Sequence, residues 1–478
     1  MRERRTGAAV AVLVVAVVLA APARAAEPTP APEATPAASE AVEPAPPPPV
    51  DEADRAALAA LALTMPRHGL LPPRAPAPDA PDDAWRAFAR RLVDAFAPAS
   101  MRRDARQRLV EEARPLAARV VELVPRHRRY QALVERLEAM ARQVDAPQVT
   151  IPETPYKVRV GTTAPEVGLL RDRLLAEGYG DPGPPEGPRD FFDDRLKRAL
   201  QSWQKDQGLP PTVVLDPLTR RRLNAPIAPP IAEVILALSR WRALDLRADA
   251  GRHVLVDMTR YELVAERDGA PELTMPVVVG KPTERDATPA RTAPLEAVIV
   301  NPAWHVPTRI VDESLRPQAS NVPEVLMDMG YDVTVDASGR WRVRMPPGPD
   351  NPLGKLKFQL ANTNGIYLHD TPARHVFGKA ERTLSHGCVR LSQPEALARW
   401  LLPDRGFDLT NAMALPTLTQ SFGVPSGVPV HFIYQTIGVG PSGRLERRPD
   451  IYGRDAEALA DIDAAAVLAA LRELIAAR

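Results

Sequence analysis

Apolar residues recur at three- and four-residue spacing from Asp51 to about Asp145. Trp85, Phe88, Leu92 and Phe96 form one such set, and Leu109, Leu116, Val120, Leu123 and Val124 another, which predicts amphipathic helices broken at Pro115 and Pro125. The Arg102-Arg103 and Arg128-Arg129 pairs read as solvated faces of these helices. A second helical pattern runs from about Pro155 to Asn224. Val167, Leu169-Leu170 and Leu174-Leu175 fit one short helix closed by Gly178-Tyr179-Gly180. Asp190 to Gln207 follows, with Leu196, Leu200 and Trp203 on one face and Gly208-Leu209 beyond it. Asp216-Pro217 opens a third turn, with Asp as N-cap and Pro at the first helical position. A helix over Ile231–Arg242 leads out of this region.

From Arg252 the period drops to two. His253 to Asp257, Tyr261 to Ala265, Leu273 to Val279 and Ala297 to Val300 read as strands, and Asp268-Gly269 as a hairpin turn. The strand-rich region extends to about Ile437. A helix-like stretch, Gly330-Tyr331 and strands flanking Ser338-Gly339 interrupt it, and Pro346-Pro347-Gly348-Pro349 returns the chain. An Ala/Leu-rich stretch from Asp455 to Ala477 is expected to be one helix packed outside the core.

The N-terminus predicts the compartment. Arg2, Arg4 and Arg5 precede an unbroken Ala/Val/Leu run from Ala8 to Ala21, followed by Ala23-Arg24-Ala25. This is the pattern of a secretory signal peptide over residues 1–25, and the apolar run is short of the ~20 residues that span a bilayer. Residues 26–50, ending in Pro46-Pro47-Pro48-Pro49, are an extended Pro/Ala-rich linker. A periplasmic protein, soluble after signal cleavage, is expected.

Across 478 residues, 61 Lys+Arg against 60 Asp+Glu leave a net charge of +1, without the basic excess that nucleic-acid binding requires. One cysteine excludes an intrachain disulfide and a thiolate-rich structural zinc site. That cysteine, Cys388, stands two residues beyond His386 in a region that also holds His305, His369 and His375. A lone thiol in an oxidising compartment is open to oxidation, so its presence points weakly to a chemical use.

Ser385-His386-Gly387-Cys388-Val389-Arg390, preceded by Tyr367-Leu368-His369-Asp370, closely resembles the catalytic motif of the YkuD-type L,D-transpeptidases. Val277 to Pro282, Asn301 to Pro307, Leu368 to Pro372 and Asp450 to Gly453 extend the resemblance to the large periplasmic branch of that family. The region 155–226 resembles the small helical peptidoglycan-binding module, with a Gly/Pro-rich segment at Pro182, Pro184 and Pro185 where a shorter loop is usual. The resemblance implies a multidomain α+β protein. Its parts are a helical scaffold domain (51–148), a three-helix peptidoglycan-binding-like domain (155–226), a β-dominated catalytic domain (250–437) with a capping insertion (308–349), and a C-terminal extension (438–478).

The resemblance also implies roles. Cys388 is the nucleophile, His369 the proton donor and acceptor, His386 an orienting group, and Gly387 the place of close backbone approach near an oxyanion. Arg390, Ser385, Tyr367 and Trp304 are candidates for substrate contact, Arg390 being equally open to a structural ion pair. Position 390 is Arg, as in the large branch, where smaller members carry Asn. His305 stands where the branch often shows Asn and receives no role. The implied reaction joins two peptidoglycan tetrapeptide stems, donor and acceptor, in a 3→3 crosslink through a cysteine thioester with release of D-Ala. No cofactor or metal is expected, and carbapenems are expected as covalent inhibitors. Water as acceptor would give an L,D-carboxypeptidase, and a wall protein as acceptor would give attachment. A zinc peptidase using His369, His386 and Cys388 lacks a His-Glu-x-x-His arrangement. A non-catalytic peptidoglycan-binding protein that kept the fold remains the alternative from another class.

Overall fold

The computed structural model describes residues 47–143, 149–177, 179, 187–207, 209–225, 230–244, 251–361, 365–402, 408–440 and 443–478. The expected signal peptide and most of the Pro/Ala-rich linker lie outside the described residues, as do Gly178, Gly180 and Gly208. Among the described residues no helix is long and apolar enough to cross a membrane.

Four helices, α1 (Glu52–Thr64), α2 (Asp82–Phe96), α3 (Arg103–Glu112) and α4 (Leu116–Val121), bury the predicted apolar stripe around Leu58, Phe88, Leu92, Phe96 and Val120. Asp54 is buried beneath them. Its carboxylate accepts the N–H groups of Leu116 (3.0 Å) and Ala117 (2.8 Å) at the start of α4, where free donors and the helix dipole favour a negative charge. The next helix, α5 (Arg128–Gln143), leaves this core.

Helices α6 (Pro165–Ala176), α7 (Asp194–Asp206) and α8 (Pro217–Asn224) enclose a separate core of Val167, Leu170, Leu196, Leu200, Trp203 and Leu223. Asp216 caps α8 by accepting from the Thr219 N–H at 2.8 Å, as the sequence predicts. Helix α7 begins later than the pattern suggested. Phe191 is held in a bridge with Thr163, so Asp193 rather than Asp190 becomes the cap, accepting from the Leu196 N–H. After it, α9 (Ile231–Arg242) spans the predicted residues.

The β-region opens with β1 (Arg252–Asp257), β2 (Glu262–Arg267), β3 (Ala270–Gly280) and β4 (Arg291–Val300). Asp268 and Gly269, with φ of 50° and 76°, turn the hairpin between β2 and β3, which suits the right-handed twist of paired strands. A satellite follows. Strands β5 (Trp304–His305), β6 (Asp332–Val335) and β7 (Trp341–Met345) pair in the order β5-β7-β6, packed with α10 (Thr308–Ile310), α11 (Arg316–Gln318) and α12 (Pro323–Asp328). Val311, Leu315, Leu326, Trp341 and Val343 give it a core of its own.

The main sheet resumes with β8 (Leu356–Leu360), β9 (Leu368–His369), β10 (Thr383–Ser385) and β11 (Val389–Leu391), then α13 (Pro394–Leu401), α14 (Leu409–Met413) and β12 (Gln420–Ile433). Its nine strands run β10-β3-β11-β9-β8-β4-β12-β1-β2, and β2 pairs again with β3, so the sheet closes on itself. Val256, Val277, Leu295, Phe358, Val389 and Phe432 fill the interior. A hairpin of β13 (Ile437–Val439) and β14 (Leu445–Arg447) precedes the last two helices.

The C-terminal stretch departs from the sequence expectation. It is two helices, α15 (Asp455–Ala460) and α16 (Ala464–Ala476), because Asp463 caps the second by accepting from the Ala466 N–H. Helix α16 is not peripheral. Val467 and Leu471 join Leu133 and Leu137 of α5, Val234 and Leu238 of α9, Leu255 of β1 and Ile433 of β12 in one apolar cluster. Helices α5, α9 and α16 therefore form a layer against the closed sheet.

A buried charge ties that layer to the sheet. Glu266, on β2, is fully buried and accepts from Nε2 of His127 (3.0 Å) and Nε2 of His253 (3.1 Å). Arg128 pairs with its other oxygen at 3.1 Å. His127 is also the N-cap of α5: the Arg129 N–H donates to its Nδ1, and Trp241 stacks on its ring. Burial raises the Glu266 pKa, but the two histidine hydrogen bonds and the nearby charges outweigh it and hold the carboxyl well below the usual range. The stability this carboxylate contributes is therefore present above its unfolded pKa, ~4.3, and lost as pH falls through the depressed folded value. Glu266→Gln is expected to cost about 3 kcal/mol at pH 7 by urea denaturation, since it strands buried partners of a charge. The gap between wild type and variant should close as pH falls below about 4; equal midpoints at pH 7 would refute this account.

Candidate active site

Two glycines and a threonine shape the turn that carries Cys388. A Cβ on Gly280, at the end of β3, would stand 1.8 Å from the Asp286 carbonyl oxygen, so only glycine admits the β3–β4 loop here. That close approach seats Thr288, whose Oγ1 accepts from the Gly280 N–H and donates to the Gly387 carbonyl, both at 2.9 Å. Gly387 has φ of +111°, a conformation that L side chains rarely adopt, and an added Cβ would lie 2.9 Å from Ile366 Cδ1.

The positive φ changes one expectation. An extended His-Gly-Cys would place His386 and Cys388 side by side, but the chain turns at Gly387. His386 is exposed, and Lys281 Nζ lies 3.3 Å from its Nε2. Burial and then the Lys281 charge lower its pKa. No contact between His386 and Cys388 is present to support an orienting role.

Ser385 also differs from expectation. Its hydroxyl is buried, accepts from the Gly387 N–H (3.1 Å) and donates to the Cys388 carbonyl (2.5 Å). It locks the turn from within and is not placed for substrate contact. The same bond occupies the Gly387 N–H, which is thereby withdrawn from oxyanion binding. The Cys388 N–H has no hydrogen-bond partner among the described residues; it is the free donor at this turn.

The nucleophile candidate is in register with Tyr367. The Val389 N–H donates to the Tyr367 carbonyl at 3.1 Å, and β11 runs parallel to β9 with Arg390 opposite His369. Side chains two residues apart share a strand face, so Cys388 and Arg390 lie on the same side as Tyr367 and His369. The Cys388 thiol donates to the Gly365 carbonyl at 3.5 Å. Burial pushes its pKa up. The Tyr367 backbone N–H and hydroxyl, with the Lys357 and Arg390 charges, act in the opposite direction. Tyr367 itself is held protonated, first by burial and then by the neighbouring Cys388, and Trp304 of β5 hydrogen-bonds to it. Trp304 thus reaches the site from the satellite sheet.

His369 is buried at 5% exposure, and its Nδ1 lies 2.5 Å from the Asp370 carbonyl, which can only accept. The proton therefore sits on Nδ1 and leaves Nε2 a free lone pair. Burial and then the charge of Arg390 lower its pKa to about 3, against the opposing effect of the Asp370 carbonyl, and Lys357 adds a lesser lowering. The imidazole is neutral across the physiological range. Lys357, which sequence reasoning missed, is the cross-strand neighbour of His369 on β8. Asp286, Thr288 and Arg309 were missed as well. Arg309 of α10 pairs with Asp286, and Arg285 with Glu313 at 3.3 Å, joining the satellite to the β3–β4 loop.

His127, His253 and Glu266 are the described group that has the makings of a metal site. Their protons argue otherwise. Because the Arg129 N–H donates to Nδ1 of His127, the ring carries its own proton on Nε2, the atom a metal would need bare. They act as a hydrogen-bonded ion cluster.

Residues 251–416 match the family model described as "L,D-transpeptidase catalytic domain" (YkuD), and residues 163–223 that described as "Putative peptidoglycan binding domain". A Haemophilus influenzae protein named "Putative L,D-transpeptidase" is 33% identical over 220 residues, 42% of this chain and 44% of its own length. The match thus spans less than half of that relative. Among solved structures, the L,D-transpeptidase of Xylanimonas cellulosilytica (residues 123–326) is 18% identical, covering 59% of this chain and 99% of its own, with a TM-score of 0.19. The catalytic domain of the E. faecium L,D-transpeptidase acylated by ertapenem is 15% identical, covering 38% and 98%, with a TM-score of 0.19. Residues 251–416, which hold Cys388, His369 and their neighbours, thus match the YkuD-type L,D-transpeptidase catalytic domain, and the helical module before them matches the peptidoglycan-binding type.

Proposed function

We propose that the protein is a periplasmic peptidoglycan L,D-transpeptidase that forms 3→3 crosslinks between tetrapeptide stems. The observation that carries this reading is the shared sheet face of Cys388 and a neutral His369 whose proton is fixed on Nδ1. Cys388 and His369 then have the roles of nucleophile and proton carrier. The thiol proton passes to His369 Nε2 as sulfur attacks the carbonyl of the donor's third residue. An S–C bond forms, the C–N bond to the terminal D-Ala breaks, and the same proton returns to the leaving amine. A side-chain amine of a second stem then attacks the thioester, and its proton goes back to sulfur through His369. The Cys388 N–H serves the oxyanion. The small helical module holds the enzyme at its polymeric substrate.

The resting pair in this reading is a thiol beside a neutral imidazole, not a thiolate–imidazolium ion pair. A buried thiol and an imidazole with a pKa of about 3 both favour the uncharged forms.

Three measurements test this. Intact mass after incubation with a carbapenem should show one adduct on wild type and none on Cys388→Ala; an unmodified, well-folded, reduced wild type would sink the assignment. With disaccharide-tetrapeptide, wild type should release D-Ala and yield the 3→3 dimer. His369→Ala is expected to lower the acylation rate by roughly 10²–10⁴. Alkylation of Cys388 by iodoacetamide should rise with pH in a single step centred above the ordinary thiol value of ~8.5. An inflection between about pH 5 and 7 would instead reveal an imidazolium that the site is built to exclude.

A further inference from the structure

Three strands place a row of three side chains across the face that carries the thiol. Lys357 of β8 is paired with His369 of β9, and His369 with Arg390 of β11. Strands lie ~4.8 Å apart, so the two cations flank the imidazole about 10 Å from each other at the backbone. Both are only partly exposed. The Lys357 ammonium rests 4.3 Å from the centre of the Tyr367 ring, and the Tyr367 hydroxyl meets Cys388.

Neither cation has a carboxylate within ion-pair distance among the described residues, and Arg390 makes no side-chain hydrogen bond there. This is unusual for the molecule. Other partly buried arginines near this sheet are neutralised, as Arg309 is by Asp286, Arg448 by Asp257 and Arg240 by Asp455, or are held by backbone carbonyls, as are Arg252, Arg382 and Arg454. Withdrawing a cation from water without a partner is costly, and each of the two also makes His369 harder to protonate. The thiolate alone does not account for the pair, because it is neutralised as soon as the thioester forms.

We infer that Lys357 and Arg390 form a two-cation receptor for a carboxylate of the acyl donor, which makes Lys357 a specificity-determining residue. This deepens, and rests on, the transpeptidase reading above. The planar guanidinium can take a carboxylate with two parallel hydrogen bonds, while the ammonium supplies a point charge from the opposite side of His369. The carboxylate has two sources close to the attacked carbonyl: the side chain of a dicarboxylic diamino acid at the third position, or the C-terminus of the leaving residue.

The test uses the full-length Cys388→Ala protein, so that no turnover occurs. Its affinity is measured by calorimetry for a tetrapeptide with a dicarboxylic diamino acid at position three. The same is done for two monoamides, one at that side chain and one at the C-terminus. The free acid should bind about tenfold or more tightly than one of the amides, and the amide that fails identifies the carboxylate held. Adding Lys357→Gln should bring that ratio to about one, Lys357→Arg should retain it, and the exposed Lys355→Gln should leave it unchanged. Equal affinity for all three peptides, no binding of any, or a ratio indifferent to Lys357→Gln would overturn the receptor. Turnover by wild type is read separately. A free-acid preference in Cys388→Ala, without release of D-Ala by wild type, would keep the receptor and defeat the transpeptidase reading.

Discussion

The close approach of two backbones at Gly280 is the contact on which the site depends. No side chain fits between Gly280 and the Asp286 carbonyl, and that absence brings Thr288 within reach of two strands at once. One hydroxyl then joins the end of β3 to the Gly387 carbonyl, while Ser385 closes the same turn from inside. The thiol is thereby presented by a three-residue turn with almost no freedom of its own. Rigid presentation of this kind is what a nucleophile needs in order to meet a carbonyl at a fixed angle.

Electrostatics at the site oppose protonation of His369, and the same cations lower the thiol's pKa against the larger effect of burial. His369 is desolvated, bonded through Nδ1 to a carbonyl, and flanked by two cations. Those cations and the Tyr367 hydroxyl face a buried thiol, and they stabilise negative charge there only as it develops. The arrangement keeps the resting sulfur protonated. Oxidation proceeds through the thiolate, so a sulfur held as the thiol is less open to it.

The strands β1 to β4, the hairpin at Asp268-Gly269 and the Asp216 cap were legible because each is written in neighbouring residues. Cys388 and His369 were legible for the same reason, lying in short segments with recognisable order. The rest depends on contacts distant in sequence. Lys357, in Leu-Lys-Phe-Gln-Leu, looks like the solvated face of any alternating strand; its meaning comes from the register with β9. The turning of His386 away from Cys388 depends on a positive φ that glycine permits but does not announce. The sharing of Glu266 by His127 and His253 joins residues 139 positions apart, beyond the reach of any local pattern.

That shared carboxylate gives the matched segment and the folding unit different boundaries. The family match spans 251–416, yet Leu255 on the outside of the sheet shares its apolar cluster with α5, α9, α16, Ile433 of β12 and Ile437 of β13, all outside the match. Glu266 lies inside it, whereas His127 and Arg128 lie more than a hundred residues before it. A catalytic domain cut at the edges of its sequence family would expose an apolar face and leave a buried anion short of its partners. The helices on either side of the matched segment are therefore part of the wall of the β-region, and the matched segment is not exchangeable unless the helical layer travels with it.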